Sequence, residues 1–218
     1  MKLNQSYTGV RRDILEHIPF SAKRLLDVGC SVGALGEVVA RRNSGAQIYG
    51  IELDPEMAEI AREKLDKVYI ENMDHFSLVQ EFADEAFDCV VLADILEHLR
   101  DPWNVVHEAI EILEPGGVIV ACIPNVRHID TLFNLLVRGN WPYRDRGVHD
   151  RTHLRFFTRM NILELFSSPK LEVEKVVANY RILERPSSIN RWAKYFAWPG
   201  IRGFLAFQYI VVAKKIKQ

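Results

Sequence analysis

The residues with the clearest chemical potential lie in one short stretch, Leu25-Leu26-Asp27-Val28-Gly29-Cys30-Ser31-Val32-Gly33. An apolar strand pattern runs into a turn of small residues, and a helix pattern begins directly after the turn. Glycine has no Cβ, so such a turn lets the backbone approach a ligand closely, and the helix N-terminus that follows carries partial positive charge. We therefore expect a ligand site that is formed by Asp27, Gly29, Cys30, Ser31 and Gly33.

The spacing of this turn distinguishes two classes of ligand. A nicotinamide dinucleotide site has the pattern G-x-G-x-x-G, and counting from Gly29 the chain has Ser31 and Ala34 where that pattern needs glycine. The chain matches the second pattern, acidic-x-G-x-G-x-G, at Asp27, Gly29 and Gly33, and departs from it only at Ser31. Serine is small enough for the turn to form. Asp27 favours a ligand with positive charge and would repel a pyrophosphate. The dinucleotide is therefore the disfavoured alternative.

Two further acidic positions follow the next two predicted strands. Glu52 lies at the end of the second strand, roughly 20 residues beyond the turn, where a carboxylate can bind the two hydroxyls of a ribose. The alternative is that Glu52 caps the next helix. After the third strand, Asp74 could accept a hydrogen bond from an adenine amino group while Met73 packs on the ring. Leu53 and Ala93, at the ends of the second and fourth strands, complete the expected cofactor contacts.

Histidines follow the fourth and fifth strands, at the edge where ligands of doubly wound sheets bind. An imidazole with an ordinary pKa of roughly 6.5 can take a proton from a hydroxyl or amine nucleophile. We expect His98, His149, Asp150 and His153 on the acceptor side. Structural roles stay open: His98 could cap its loop, and Asp150 and His153 could hold each other. Glu97 could be structural, or could help to bind adenosine or a metal.

Short β-branched runs alternate with amphipathic stretches, which predicts βαβ units around a parallel sheet. Glu114-Pro115-Gly116-Gly117 predicts a turn between helix and strand. The last two strands have no strong crossover helix between them, which predicts an antiparallel pair. The predicted strands are Arg24–Val28, Gln47–Leu53, Lys67–Asn72, Cys89–Ala93, Val118–Ile123, Leu171–Tyr180 and Phe204–Ala213. The predicted helices are Tyr7–His17, Gly33–Arg42, Pro55–Leu65, His75–Ala83, Trp103–Leu113, Ile129–Val137 and Met160–Phe166.

Composition narrows the function classes. The 218 residues are 48% hydrophobic and carry a formal charge of −1, which favours one folded core and gives no general attraction to nucleic acid. The three cysteines form no metal-type spacing, so we expect no metal site and a reducing compartment. We find no apolar run of the roughly 20 residues that a membrane span needs and no signal peptide, so we expect a cytoplasmic protein.

The stretches Leu25–Gly33, Tyr49–Asp54, Phe87–Pro102 and Leu113–Asn125 resemble successive motifs of class I S-adenosylmethionine-dependent methyltransferases, most closely the ubiquinone-biosynthesis-type O-methyltransferases. The segment from Trp141 to Thr158 resembles a bacterial branch associated with cell-surface polysaccharide synthesis. The resemblance implies S-adenosylmethionine as cofactor and an α/β Rossmann-like doubly wound sheet of order 3-2-1-4-5-7-6 with an antiparallel last strand. It implies one domain over residues 1–218, with an N-terminal lid or edge helix (1–22) and substrate-side elaborations (126–170 and 181–203).

The expected reaction is methyl transfer to an oxygen, or less favourably a nitrogen, of a small-molecule acceptor such as a sugar or quinone precursor. The alternatives are an NAD-dependent oxidoreductase and a non-catalytic S-adenosylmethionine-binding module. The sequence is also compatible with a homodimer. Core packing is the favoured role of Trp192, Tyr195, Phe196 and Trp198, ahead of a substrate pocket, a membrane contact or a dimer contact.

Overall fold

The computed structural model describes residues 9–185 and 187–217. Seven strands form one sheet of order β3-β2-β1-β4-β5-β7-β6. Neighbouring strands are parallel except for the antiparallel pairs of β7 with β5 and with β6. The predicted strand order and the antiparallel C-terminal pair are confirmed. The strands are β1 (Arg24–Val28), β2 (Gln47–Glu52), β3 (Lys67–Ile70), β4 (Phe87–Ala93), β5 (Leu113–Pro124), β6 (Leu171–Tyr180) and β7 (Ala206–Lys215).

Helices precede and separate the strands. They are α1 (Arg12–Leu15), α2 (Ala34–Arg42), α3 (Pro55–Arg62), α4 (Leu78–Glu81), α5 (Pro102–Ile112), α6 (Ile129–Leu136), α7 (Arg159–Leu165), α8 (Ala193–Phe196) and α9 (Arg202–Leu205). Helix α3 begins where the sequence indicates, because Asp54 accepts from the amides of Glu56 and Met57 and Pro55 occupies the first turn. Within the described residues, no helix has the length and apolarity that crossing a bilayer requires.

Two apolar clusters enclose the sheet. Leu26 and Val28 belong to one cluster and Leu25 to the other, because successive side chains of a strand point to opposite faces. All three side chains are fully buried, and each such burial contributes about 1.5–3 kcal/mol. This packing holds the carboxyl ends of β1, β2 and β4 in register, with Val28 opposite Ile51 and Leu92.

Several predicted elements are wrong in their extent, most clearly the turn after α5 and the N-terminal helix. The segment from Glu114 to Gly117 lies inside β5 rather than in a separate turn, as an irregularity between the pairs Phe87–Leu113 and Cys89–Val118. Gly116 adopts a φ of +88° there, which glycine allows. The N-terminal helix is short, because α1 covers only Arg12–Leu15; residues 7 and 8 of the predicted helix lie outside the described residues.

Candidate active site

The turn after β1 has the backbone that a close-approach site requires. Gly29, Ser31 and Gly33 all have positive φ, at 79°, 51° and 71°. The amides of Gly29 and Cys30 donate to the carbonyl oxygen of Ile51 at 2.8 and 3.0 Å, which attaches the turn to β2. Ser31 therefore adopts the left-handed conformation that the pattern normally assigns to glycine, at some steric cost.

Asp27 is a buried carboxylate that faces the cavity beside this turn. Its exposed fraction is 4%, and it makes no hydrogen bond or ion pair with any residue that the structure describes. Burial, and secondarily the charge of Glu52, raise its pKa to about 7. A cationic ligand would supply the missing partner. These residues therefore fit S-adenosylmethionine, which carries a sulfonium and an ammonium group, and do not fit a pyrophosphate.

Glu52 connects the turn to the end of β2. One carboxylate oxygen accepts from the amide of Ser31 at 2.8 Å, and the other accepts from the amide of Asp54 at 2.9 Å. Each oxygen keeps an unused lone pair, which a ribose hydroxyl could occupy. The alternative role of capping α3 is filled by Asp54 instead. Leu53 is exposed.

Met73 and Asp74 lie in the segment after β3, and Asp74 links this segment to the one that follows β4. The Asp74 carboxylate accepts from the backbone amide of Arg100 at 2.8 Å, and it also forms an ion pair of 3.7 Å with the Arg100 guanidinium. Met73 is buried in the core cluster that contains Leu26. The contact of these residues with adenine stays a prediction.

A cavity of about 1460 Å³ opens at the carboxyl ends of the parallel strands. This volume exceeds the roughly 300–1,000 Å³ of a typical single-ligand site, so two molecules can fit side by side. The predicted residues that line it come from both sides of the expected reaction: Asp27, Gly29, Cys30, Ser31, Ala93, His98, Asp150 and His153. Gly33, Glu52, Leu53, Met73, Asp74 and His149 are not part of this lining.

His98, Thr152 and Asp150 form a hydrogen-bonded chain at the cavity. The Thr152 hydroxyl donates to Asp150 Oδ1 at 2.7 Å and lies 3.0 Å from His98 Nδ1. A hydroxyl has one proton, so Thr152 can only accept from His98, which places the imidazole proton on Nδ1. His98 Nε2 is then an unprotonated base, and it has no hydrogen-bond partner among the described residues. Burial lowers the His98 pKa, which keeps the ring neutral near pH 7.

Glu97 and His153 lie beside this chain. The His153 ring packs edge-on against His98 with centroids 4.7 Å apart, and its Nδ1 is 3.2 Å from the Val148 carbonyl oxygen. Burial lowers the His153 pKa to about 4 and raises that of the Glu97 carboxyl to about 8. One ligand atom from each of Glu97, His98 and His153 lies within 4.8 Å of the others, so these residues could hold a divalent cation.

His149 lies apart from the cavity surface. Its side chain is fully buried, and its Nδ1 contacts Glu184 Oε2 at 2.7 Å. Arg144 forms ion pairs with the same Glu184 and with Asp130. Burial and the charge of Arg144 lower the His149 pKa to about 4. These contacts anchor the loop before His153, and an acceptor-side role for His149 stays a prediction.

Sequence reasoning missed two residues of the site, Thr152 and Asp94. Asp94 directly follows β4, has a φ of 55°, and accepts from Arg11 and from Gln208 Nε2. Its position directly after a buried strand is a sequence signal that could have identified Asp94 as a site residue. Thr152 had none, because its partner His98 lies 54 residues away in the chain.

Comparison with known proteins matches this chain to methyltransferases by family model, by sequence and by structure. A family model described as a methyltransferase domain matches residues 5–176. The ubiquinone biosynthesis O-methyltransferase of Alkalilimnicola ehrlichii is 34% identical over 191 residues, which cover 83% of this chain and 76% of that protein. The enzyme of the same name from Cereibacter sphaeroides is 29% identical over 166 residues, or 74% of this chain.

The alignment spans 65% of the Cereibacter sphaeroides enzyme, which is less than two thirds of its length. Among solved structures, an S-adenosylmethionine-dependent methyltransferase from Archaeoglobus fulgidus matches 97% of both chains with a TM-score of 0.65. At 17% sequence identity, this is a likeness of fold.

Proposed function

This chain belongs to the class I S-adenosylmethionine-dependent methyltransferases, and on that premise we propose that it methylates an oxygen of a small-molecule acceptor. The observation that carries the proposal is the chain His98–Thr152–Asp150, which leaves an unprotonated imidazole nitrogen in the same cavity as Asp27. Sugar or quinone-precursor hydroxyls are the acceptor class that we propose. Neither the NAD-dependent alternative nor a purely binding role has support in these relatives.

When bound, S-adenosylmethionine supplies a methyl group that its sulfonium already activates. The protein's task is then to position the two reactants and to accept one proton. With the cofactor held beside Asp27, the acceptor oxygen would take this methyl group as the sulfur–carbon bond breaks. His98 Nε2 takes the hydroxyl proton, while Thr152 and Asp150 hold the ring in the required tautomer and stabilise the positive charge that develops on it.

The base favours oxygen over nitrogen as the methylated atom. A neutral amine already has a free lone pair, whereas a hydroxyl becomes a good nucleophile only as it loses its proton. The names of the curated relatives, which are O-methyltransferases, support the same assignment. Every hydroxyl acceptor needs such a base, whereas an amine needs one only when it arrives protonated.

The test has two stages. Phenolic and sugar hydroxyls, each paired with the corresponding amine, are screened for S-adenosylhomocysteine formation, and the methylated atom is located by mass spectrometry. The accepted compound is then used to compare Thr152→Val with Thr152→Ser. A hydrogen bond to a charged group contributes about 1.5–3 kcal/mol, so we expect kcat to fall by roughly 10- to 150-fold in Thr152→Val.

Thr152→Ser keeps the hydroxyl and should retain most of the activity. S-adenosylhomocysteine affinity, measured by calorimetry, should be the same in both variants. Methylation confined to the amines would overturn the proposed acceptor atom. Equal kcat in Thr152→Val and the wild type would overturn the role of the hydrogen-bonded chain.

A further inference from the structure

The charge of this chain is distributed unevenly. From Arg185 to the C-terminus there are seven of its 28 lysines and arginines and none of its 29 aspartates and glutamates. This part therefore carries a formal charge of +7, and the preceding residues carry −8. Four of these seven cations, Arg185, Arg191, Lys194 and Arg202, precede β7 on the side of the sheet that holds the cavity. Lys214, Lys215 and Lys217 lie at or beyond the opposite end of β7, where Lys214 pairs with Val118.

Large apolar side chains are exposed within this basic part. In the aromatic segment, which we define as residues 187–204, Trp198 is 70% exposed and Tyr195 is 62% exposed, and Trp192 and Phe196 are about half exposed. Cations alternate with these rings: the Arg191 guanidinium lies 5.4 Å from the Trp192 ring centroid, and the Lys194 ammonium lies 5.1 Å from that of Tyr195. Core packing, the role favoured from the sequence, is therefore wrong for these aromatic residues.

Helix α6 carries further exposed apolar side chains. Leu136 is 81% exposed and Val137, directly after the helix, is 69% exposed. The guanidinium of Arg127, just before α6, stacks 4.2 Å from the ring centroid of Phe204 and so joins α6 to the aromatic segment. Phe133 of α6 also lines the cavity. Exposed apolar surface on this scale is unusual unless something covers it.

We propose that the aromatic segment and α6 together form a docking surface for an anionic lipid bilayer. Tryptophan and tyrosine favour the interface between headgroups and acyl chains, because one part of each ring system is apolar and another forms hydrogen bonds. The interleaved cations attract anionic headgroups, and their long stems let them reach the charged layer while the rings insert. Phe133 of α6 lines the cavity, and the aromatic segment follows the lining residues Glu184 and Arg185 in the chain, so a docked molecule presents its active site to the membrane surface.

Two other occupants fit the surface less well. A second copy of the chain would bring the same cations against each other, which is unfavourable without intervening anions. A nucleic acid would match the cations and could stack on the rings. It would leave Leu136, Val137, Ile189 and Ile201 in contact with water, because aliphatic side chains offer no stacking surface.

Binding to vesicles tests the proposal without any methyl acceptor, so its outcome is independent of the proposed reaction. The full chain is sedimented with phosphatidylcholine vesicles and with vesicles that contain about 30 mol% phosphatidylglycerol. The first variant, Arg191→Gln with Lys194→Gln, removes two cations. The second, Phe196→Ala with Trp198→Ala, removes two exposed rings. Matched controls are Arg41→Gln with Arg62→Gln on α2 and α3, and Trp103→Ala on α5.

We expect binding to the anionic vesicles with a blue shift of tryptophan fluorescence, and little binding to phosphatidylcholine alone. Each lost cation should weaken the affinity about fivefold, so the first variant should lose about 25-fold. The second variant should lose at least tenfold, and most of the blue shift with it. The control variants should bind like the wild type, and salt raised to about 500 mM should weaken binding.

Equal, weak sedimentation with both kinds of vesicle would overturn the proposal. Loss of binding in the control variants to the same degree would also overturn it, because the effect would then not belong to this surface. A dimer in light scattering that the ring-deletion variant dissociates, or tighter binding to a single-stranded oligonucleotide than to vesicles, would assign the surface to one of the other occupants.

Discussion

Replacement of Asp27 by asparagine tests the electrostatic design of the cofactor site. Asp27 is buried and has no cationic partner among the described residues, so its pKa rises from an ordinary 3.8 to about 7. Each pH unit between these values corresponds to about 1.4 kcal/mol, so the ionised carboxylate costs the folded state about 4 kcal/mol at high pH. Asparagine has nearly the same shape and does not ionise.

The sign of the pH dependence follows from proton binding. Between pH 4 and pH 7 the folded protein keeps the Asp27 proton, whereas the unfolded chain has released it. The free energy of unfolding therefore falls as the pH rises through this window. Asp27→Asn removes this contribution. From pH 5 to pH 8, the difference in free energy of unfolding between the variant and the wild type should therefore shift by about 3 kcal/mol in favour of the variant.

Urea denaturation at four pH values between 5 and 8 measures this difference. Asp84→Asn, at an exposed carboxylate, is the matched control and should keep the pH dependence of the wild type. Calorimetry with S-adenosylmethionine provides a second measurement. Since the cation needs ionised Asp27, wild-type affinity should rise about tenfold between pH 6 and pH 8, and that of Asp27→Asn should be weaker and flat. A stability difference between Asp27→Asn and wild type that is the same at pH 5 and pH 8 would refute the argument.

Two further predictions concern the same turn. Glu52→Ala should weaken S-adenosylmethionine binding by about 2 kcal/mol, because the turn loses a charged hydrogen-bond acceptor, and the circular dichroism spectrum should be unchanged; unaltered affinity in calorimetry would contradict this. Gly33→Ala should lower the free energy of unfolding by about 1–3 kcal/mol more than Gly45→Ala does. Both glycines have positive φ, but only at Gly33 would the new Cβ meet a neighbour, 3.2 Å from the Ala61 backbone; equal losses in urea denaturation would contradict the packing argument.

The elements of the sheet could be predicted because their signals are local. Predicted strands Arg24–Val28 and Leu171–Tyr180 match β1 and β6 at both ends, since a hydrophobic run and its flanking turn residues lie within a few positions of each other. Boundaries were less accurate where long-range pairing extends a strand, as at β5. The short α4 and α1 were overestimated, because periodicity does not show where tertiary contacts stop supporting a helix.

By itself, the sequence determined the small-residue turn and the placement of acidic residues at strand ends, because each is encoded in adjacent residues. The strand order came from the resemblance to the family, since strand pairing joins distant parts of the chain. The tertiary structure alone decided which groups meet. Only the fold brings Thr152 to His98 and Arg11 to Asp94, and only the fold buries Asp27 with no cationic partner among the residues that the structure describes. Hydrogen-bond partners and burial depend on contacts between distant parts of the chain, and no local pattern of residue types specifies them.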